Sequence, residues 1–514
     1  MVRARAWRPY LFAALAGALY ILSFPPYGLA WLGWLALAPL VWALRHCESR
    51  RHAFLAGGAM ALVACAGGFF WIAGTAHRFW NVPWVAAALL LGLFGTFGEI
   101  GFTLFAGAVH LLRRPLSRAP AAAWAALFVV VERGVPKIFP DALGNSAVDV
   151  PALPFAAALV GVHGLSFLMA WMGVSLGRCF GVERLSRRKR GVEALLCVAT
   201  TLALCVYGSR REAALRAADS TTHKLDVALV QSNLGDPEAL AETLGSVTLA
   251  IDSTVSTYMG LTRRALRGRP ADLVVWPETA VPEIPRPHQM ARLRVLVEEV
   301  GSPLLFGAYD MQEFAPKRHR IFNGAFYMTR AGEIRGRYHK RHLIILGEYV
   351  PYSERFPFLL ELLPDPGEFT AGPGPEVFHE EGYAFTPLIC YELLFPDYVR
   401  DCLHAGGEVL VNLTNDYWFG TSGEPEQHLA LCRMRAFETG RPIARATNTG
   451  ISALIDARGR VIARSGVWKQ EVLRGTLPVP PMSWTPYARW GDWTTALAMA
   501  LACAAVALAW KLLP

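Results

Sequence analysis

The chain has 514 residues, enough for more than one domain. It is 53% hydrophobic and only 18% charged, with a mean hydropathy of +0.30; soluble domains carry roughly 25% charged residues, so the deficit points to a membrane protein. The net charge of +9 gathers in short basic runs between apolar segments, which marks membrane topology and not a nucleic-acid face. The nine cysteines include no CxxC pair and most lie in or beside apolar runs, which fits neither a disulfide framework nor a zinc site.

Met1 to Arg8 carries three arginines, and apolar residues run from Tyr10 to Phe24. A signal peptide has that form. Here Pro25-Pro26 and a second apolar run, Leu29 to Leu44, follow at once without a convincing small-residue cleavage site, so two closely spaced helices are expected. Further apolar spans lie at Ala53–Ala76, Val85–Leu112, Ala119–Ile138, Leu153–Leu176 and Val192–Tyr207. Each approaches the ~20 residues that cross a bilayer. The expectation is a seven-helix transmembrane domain over residues 1–210 and a C-terminal transmembrane helix within 488–514, at Trp493–Leu512.

Basic residues set the orientation. Arg3, Arg5 and Arg8 precede the first helix; Arg45, Arg50 and Arg51 follow the second; Arg113, Arg114 and Arg118 follow the fourth. Arg184, Arg187, Arg188, Lys189 and Arg190 follow the sixth, and Lys511 ends the last. On an alternating path these clusters share one side, which the positive-inside rule makes cytoplasmic. Residues 224–480, between the seventh and eighth helices, then lie outside the cytoplasm.

That segment reads as a soluble domain. Strands are expected at Leu225–Gln231, Asp272–Glu278, Pro303–Tyr309, Asn323–Met328, Gly332–Tyr338, Tyr383–Cys390, Glu408–Thr414, Pro442–Ala446, Ser452–Asp456 and Val461–Arg464. Helical periodicity covers Pro237–Arg267, Met290–Val300 and Glu424–Thr439, and a helix opens after Glu392. Strands alternating with helices predict an α/β domain with covered sheets.

Three of these strands lead into reactive groups. Trp276-Pro277-Glu278 ends one, Lys340 follows another, and Cys390 ends the third. A nucleophile, a base and a positive charge for an oxyanion are what acyl transfer needs. Taken singly each residue is bland: a free cysteine is more often buried and inert, and a glutamate at a strand end or a lysine beside Arg341 is more often solvated.

Together, Trp276-Pro-Glu-Thr-Ala280, Tyr338-His-Lys-Arg-His-Leu343, Gly347-Glu-Tyr-Val-Pro351, Ile389-Cys-Tyr-Glu392 and Asn415-Asp-Tyr-Trp-Phe-Gly420 resemble the nitrilase superfamily and its Glu-Lys-Cys triad. Arg433-Met-Arg-Ala436, Gly440-Arg-Pro442, Thr447-Asn-Thr-Gly450 and the flanking apolar spans narrow the resemblance to the apolipoprotein N-acyltransferase family. The resemblance implies a multi-pass α-helical membrane domain plus an α/β nitrilase-like domain, an αββα sandwich. It implies an acyl chain passing from a phospholipid, usually phosphatidylethanolamine, to the cysteine as a thioester, and then to the N-terminal amine of a diacylglyceryl apolipoprotein. No cofactor or metal is implied. Glu278 would be the general base, Lys340 the oxyanion stabiliser and Cys390 the nucleophile, with Glu348 and Glu392 in support and Tyr391 and Trp418 lining the site. Asn415 and Asp416 would hold its turn. The chain departs from the family pattern at Ile345-Leu346, where Pro-Phe is frequent, and at Pro237 and Leu240, near where some members carry a tryptophan.

Phe356, Phe358, Leu359, Leu360, Leu362 and Leu363 crowd the stretch Tyr352–Pro375. It reads either as a loop packed on the core or as an amphipathic arm resting on the outer leaflet. Glu132 and Arg133, in the fifth span, pair with each other or lie at the interface. Two rival functions share parts of the pattern. A membrane-anchored amidase would use the triad but needs no eight-helix body. A transporter with an inactive nitrilase-like domain would show a repeated half or a broken-helix pair, and neither is visible in the sequence. The charge pattern makes one prediction testable by fusion: a topology reporter placed after Tyr207 should behave as external and one after Arg190 as cytoplasmic, and the opposite pair of results would overturn the orientation.

Overall fold

The computed structural model describes residues 7–79, 81–137, 139–179, 187–219, 222–235, 237–282, 285–315, 318–345, 347–353, 355–361 and 369–511. The chain divides into two units, Met1–Ala214 with Trp484–Pro514, and Leu215–Ser483.

The first unit is helical, as apolar surroundings require of a chain that must pair its own backbone N–H and C=O groups. Among the described residues two helices, Leu153–Cys179 and Arg188–Ala218, are long and apolar enough to cross a membrane, and four spans result if each of two bent pairs counts as one. Shorter apolar helices occupy Arg8–Leu22, Ala30–Arg45 and Trp493–Leu508. The bends correct the sequence reading, which showed no broken helix. Arg50–Gly68 and Trp71–Arg78 meet at 60°, after Gly67-Gly68. Trp84–Phe97 and Ile100–Leu111 meet at 42°, across Gly98-Glu99. Glycine holds a helix poorly, and the buried Glu99 leaves helical register with its carboxylate 3.8 Å from Lys137 Nζ. Glu132 and Arg133 do not pair with each other: Glu132 Oε1 accepts from Leu143 N at 2.8 Å, and Arg133 Nε lies 3.5 Å from Asp492 Oδ2.

Among the described residues the second unit contains twelve strands: β1 (His223–Gln231), β2 (Leu273–Val275), β3 (Leu304–Ala315), β4 (Arg318–Met328), β5 (Ile334–His339), β6 (Phe378–Glu380), β7 (Tyr383–Ile389), β8 (Val409–Thr414), β9 (Ile443–Thr447), β10 (Ala453–Ile455), β11 (Val461–Arg464) and β12 (Glu471–Val479). They form two six-stranded sheets, ordered β12-β1-β2-β3-β4-β5 and β11-β10-β9-β8-β7-β6. β1, β2 and β3 run parallel, as do β7, β8 and β9, while the outer strands are antiparallel. β2 is shorter than its sequence suggests because Pro277 has no N–H for the ladder. β12 escapes sequence reading because Gly475 and Pro478 break its strand pattern, yet it pairs with β1 along its whole length. As a sheet edge it tolerates the proline.

Period-two alternation gives each sheet two apolar faces. Val227 and Leu229 of β1 meet Phe385, Val411, Leu413 and Ala444 between the sheets. Ala228 and Val230 point the other way, where Val255 and Tyr258 of α1 (Val247–Leu266) and Leu293 and Leu296 of α2 (Pro287–Val300) cover the first sheet. The outer face of the second sheet is covered by α3 (Pro396–His404) and by α4 (Glu424–Thr439), whose His428 meets Arg445 of β9. Helix, sheet, sheet and helix make an αββα sandwich. Parallel strands bring their C-terminal ends to one edge, where Val275, Ile389 and Thr414 hand over to loops.

The inter-sheet core centres on Phe385, whose ring lies 5.1 Å from Tyr327 and 5.6 Å from Phe378. Phe385→Ala should remove about 3–5 kcal/mol of stability, lowering the thermal midpoint of the detergent-solubilised chain, with a smaller loss for Phe385→Leu. An unchanged midpoint for the alanine variant would contradict this packing.

Candidate active site

Cys390 follows β7 directly and takes φ 55°. A left-handed backbone costs an L residue about 1–2 kcal/mol, so neighbours must hold the elbow. Glu392 Oε2 accepts from Ile389 N at 2.7 Å, and Asn412 Nδ2 donates to Leu388 O at 3.0 Å and Cys390 O at 2.9 Å. The helix expected to open after Glu392 starts later: a 3₁₀ turn occupies Cys390–Leu394 and α3 begins at Pro396, which suits a first helical position. Cys390 as a whole is 6% exposed. Burial, and then the negative charge of Glu278, push its thiol up to about 12 against the pull of Lys340 and His428. At rest it is a neutral thiol that needs a base.

Glu278 stands three residues beyond β2, and the next residue, Thr279, has φ 51°. Positive φ at a β-branched residue is an outlier, and such strain collects at functional sites. The turn lies tight against β3 at Gly307, where a Cβ would come within 2.6 Å of Pro277 O and 2.7 Å of Glu278 Cα. Glu278 Oε1 accepts from Asn323 Nδ2 at 2.8 Å and Lys340 Nζ at 3.2 Å, and Oε2 accepts from Asn415 N at 3.0 Å. Burial raises its pKa, Lys340 opposes the rise, and Glu348 adds to it.

Lys340 follows β5 and is 1% exposed. Its Nζ donates to Glu348 Oε1 at 2.9 Å as well as to Glu278, and lies 5.5 Å from the centre of the Tyr391 ring. Burial disfavours the ammonium, but the two carboxylates outweigh it and hold the pKa well above the ordinary lysine value. Asn323, on β4 beside Lys340, reaches both Glu278 and Glu348 at 2.8 and 2.9 Å. Sequence reading passed over it; the available signal was a lone amide in the apolar run Phe322–Met328.

Glu278, Lys340, Cys390, Glu348 and Tyr391 thus come together. Glu392 works from behind them, accepting from Arg341 N at 2.7 Å, His342 N at 3.0 Å and Tyr338 Oη at 2.7 Å, and so ties the Lys340 segment to the cysteine elbow. Trp418 is 48% exposed, on the turn Asp416–Phe419 that begins just after Asn415. Asn415 gives its N–H to Glu278, whereas Asp416 pairs with Arg445. On the apolar stretch, Tyr352, Phe356 and Phe358 are exposed and Phe358–Glu361 is a short helix; Leu362 and Leu363 lie outside the described residues.

Among the described residues one group has the make-up of a metal site: Asp416, Glu424 and His428, all buried, with ligand atoms within 4.8 Å of one another. Arg445 already takes the place of a cation there, with Nη2 2.8 Å from Asp416 Oδ2 and 3.1 Å from His428 Nδ1.

A base must be ionised to accept the thiol proton. Glu278, which the family resemblance makes the expected base, has a raised pKa, so carboxamidomethylation of Cys390 should slow as pH falls through a value above the usual glutamate figure of about 4.3. Glu278→Gln should abolish that acid limb. A limb in the ordinary carboxylate range would contradict the assignment.

A family model described as carbon-nitrogen hydrolase matches residues 226–489, and one described as the apolipoprotein N-acyltransferase N-terminal domain matches residues 16–175. An apolipoprotein N-acyltransferase of Geobacter metallireducens is 31% identical over 520 residues, covering 98% of this chain and 96% of its own. One of Bdellovibrio bacteriovorus is 33% identical over 506 residues, covering 93% and 89%. Among solved structures, an amidase from Nesterenkonia sp. is 21% identical with a TM-score of 0.36, covering 50% of this chain and 92% of its own. By the full-length relatives and the two matched domains, the chain belongs to the apolipoprotein N-acyltransferase family.

Proposed function

We propose that this chain transfers an acyl group from a phospholipid, phosphatidylethanolamine being the expected donor, to the α-amino group of the S-diacylglyceryl cysteine that begins an apolipoprotein. Membership of the family supports N-acylation in lipoprotein maturation. The reading of the chemistry rests on one observation: a strained cysteine is buried together with a carboxylate of raised pKa and a lysine held between two carboxylates.

In the first half-reaction the Cys390 thiol gives its proton to Glu278, and its sulfur attacks the ester carbonyl. The oxygen that gains charge faces Lys340. An ammonium has three N–H donors; Glu278 and Glu348 take two, which leaves one for the oxyanion. As the tetrahedral species collapses, the C–O bond breaks, Glu278 returns the proton to the leaving alkoxide, and lysophospholipid departs from a thioester. In the second half-reaction the α-amine attacks that thioester and Glu278 takes the amine proton. The C–S bond breaks, and the proton passes to sulfur as the amide leaves. Glu348 and Asn323 keep Lys340 and Glu278 aligned throughout.

The basic loops support a multi-pass protein of the bacterial inner membrane with residues 224–480 on the periplasmic side, where lipoproteins present their N-termini. The exposed Tyr352, Phe356 and Phe358 support an arm that rests on the outer leaflet and admits acyl chains.

Incubation with acyl-labelled phospholipid tests the reading. Wild-type protein should acquire a hydroxylamine-sensitive label on Cys390 that a diacylglyceryl peptide discharges as amide. Cys390→Ala should acquire none, and Glu278→Gln or Lys340→Met should be slower by about 100–1000-fold. Label on the alanine variant would end the proposal. Discharge to free fatty acid alone, with peptide present, would favour a hydrolase.

A further inference from the structure

Arg445 lies mid-strand in β9 and is fully buried. Parallel pairing sets Leu388, Asn412 and Arg445 in one row across β7, β8 and β9. Neighbours in that row share a face, so the Asn412 and Arg445 side chains lie together beneath α4. A guanidinium in such a place is unfavourable unless its N–H groups are bonded and its charge is matched.

Two arms of the fork are placed on different partners. Arg445 Nη1 donates to Asn412 Oδ1 at 2.6 Å. With its oxygen taken, the Asn412 amide turns its nitrogen to the cysteine elbow, donating to Leu388 O at 3.0 Å and Cys390 O at 2.9 Å. Arg445 Nη2 donates to Asp416 Oδ2 at 2.8 Å. Asp416 Oδ1 accepts from Thr414 Oγ1 at 3.2 Å. The residue between them, Asn415, gives its N–H to Glu278 Oε2 at 3.0 Å. One guanidinium therefore reaches the backbone of the nucleophile on one side and the turn that binds the base on the other.

We propose that Arg445 is a positioning residue that sets the Cys390 thiol against the Glu278 carboxylate, acting through Asn412 on one side and the Thr414–Asp416 turn on the other, without touching substrate. The proposal rests on the Glu-Lys-Cys reading given above. His428 and Glu424 of α4 complete the setting: His428 flanks the guanidinium at 3.1 and 3.2 Å, and Glu424 Oε1 lies 3.3 Å from His428 Nδ1. Two carboxylates, Asp416 and Glu424, thus balance the two basic groups. A lysine keeps the charge of Arg445 but is a single point, unable to hold Asn412 and Asp416 in one rigid fork.

The test is steady-state N-acylation by the full chain in mixed phospholipid–detergent micelles, comparing wild type, Arg445→Lys, Asn412→Ala and the double variant, each with its thermal midpoint. Misplacement of reacting groups by a fraction of an ångström to an ångström costs up to about 100-fold. Both single variants should therefore stay folded and lose about 10- to 100-fold in kcat with KM little changed. The double variant should lose no more than the worse single one, since Arg445 acts through Asn412. The proposal falls if folded Arg445→Lys keeps kcat within about 3-fold of wild type, if KM alone rises, or if the two losses multiply. It also falls if neither single variant yields folded protein, because the residues would then serve the fold and not the alignment. Cys390→Ala in the same assay separates the two readings: retained activity there would defeat the triad, while its loss beside an unimpaired Arg445→Lys would defeat only the role of Arg445.

Discussion

A single buried lysine between two carboxylates sets the terms for everything around it. Lys340 Nζ meets Glu278 at 3.2 Å and Glu348 at 2.9 Å in a place almost without solvent. Isolated charges cannot live there. The two acids hold the lysine as an ammonium, and the acids, which repel each other, need the lysine and Asn323 to sit side by side. The arrangement leaves one negative charge in excess. In the mechanism we propose, moving the Cys390 proton to Glu278 leaves that total unchanged: the negative charge passes from oxygen to sulfur and the ammonium stays close. Nucleophile activation as proposed would thus require no net import of charge into a medium of low dielectric.

The same region stores backbone strain. Cys390 and Thr279 both take positive φ, and β3 can approach the Glu278 turn only because residue 307 is glycine. Strain of this kind persists when the surroundings over-determine it. Glu392 does much of that work. Its two oxygens bind the backbone on both sides, at Arg341 and His342 beside the lysine and at Ile389 beside the cysteine. Burial raises its own pKa to about 7, and the donors around it hold the rise in check. Asn412 and Arg445 brace the cysteine from the opposite face of the second sheet.

The helical unit solves a different problem. Its apolar helices satisfy their own backbones, and its few buried charges are bonded to neighbours: Lys137 to Asp141, His163 to Asp492, Glu132 to the backbone at Leu143. The two bends fall where the sequence supplies Gly67-Gly68 and Gly98-Glu99, positions at which a straight helix has least to hold it.

Much of this was present in the residues themselves. Apolar runs and period-two strands between helical segments are local patterns, and local geometry expresses them directly. Glu278, Lys340 and Cys390 were recognisable because each follows a strand within a distinctive motif. What the sequence could not reveal depends on residues far apart in the chain. β12 exists because β1 offers it an edge. Asn323 belongs to the site because β4 runs beside Lys340. Glu392 reaches the lysine segment through Arg341 and His342 rather than through the lysine itself, and Arg445 meets Asn412 only because β8 and β9 pair in that register. The physical reason is that burial and neighbouring charge are properties of an assembled interior: a polar side chain in a strand carries no mark of its partner until the sheets close over it and water leaves.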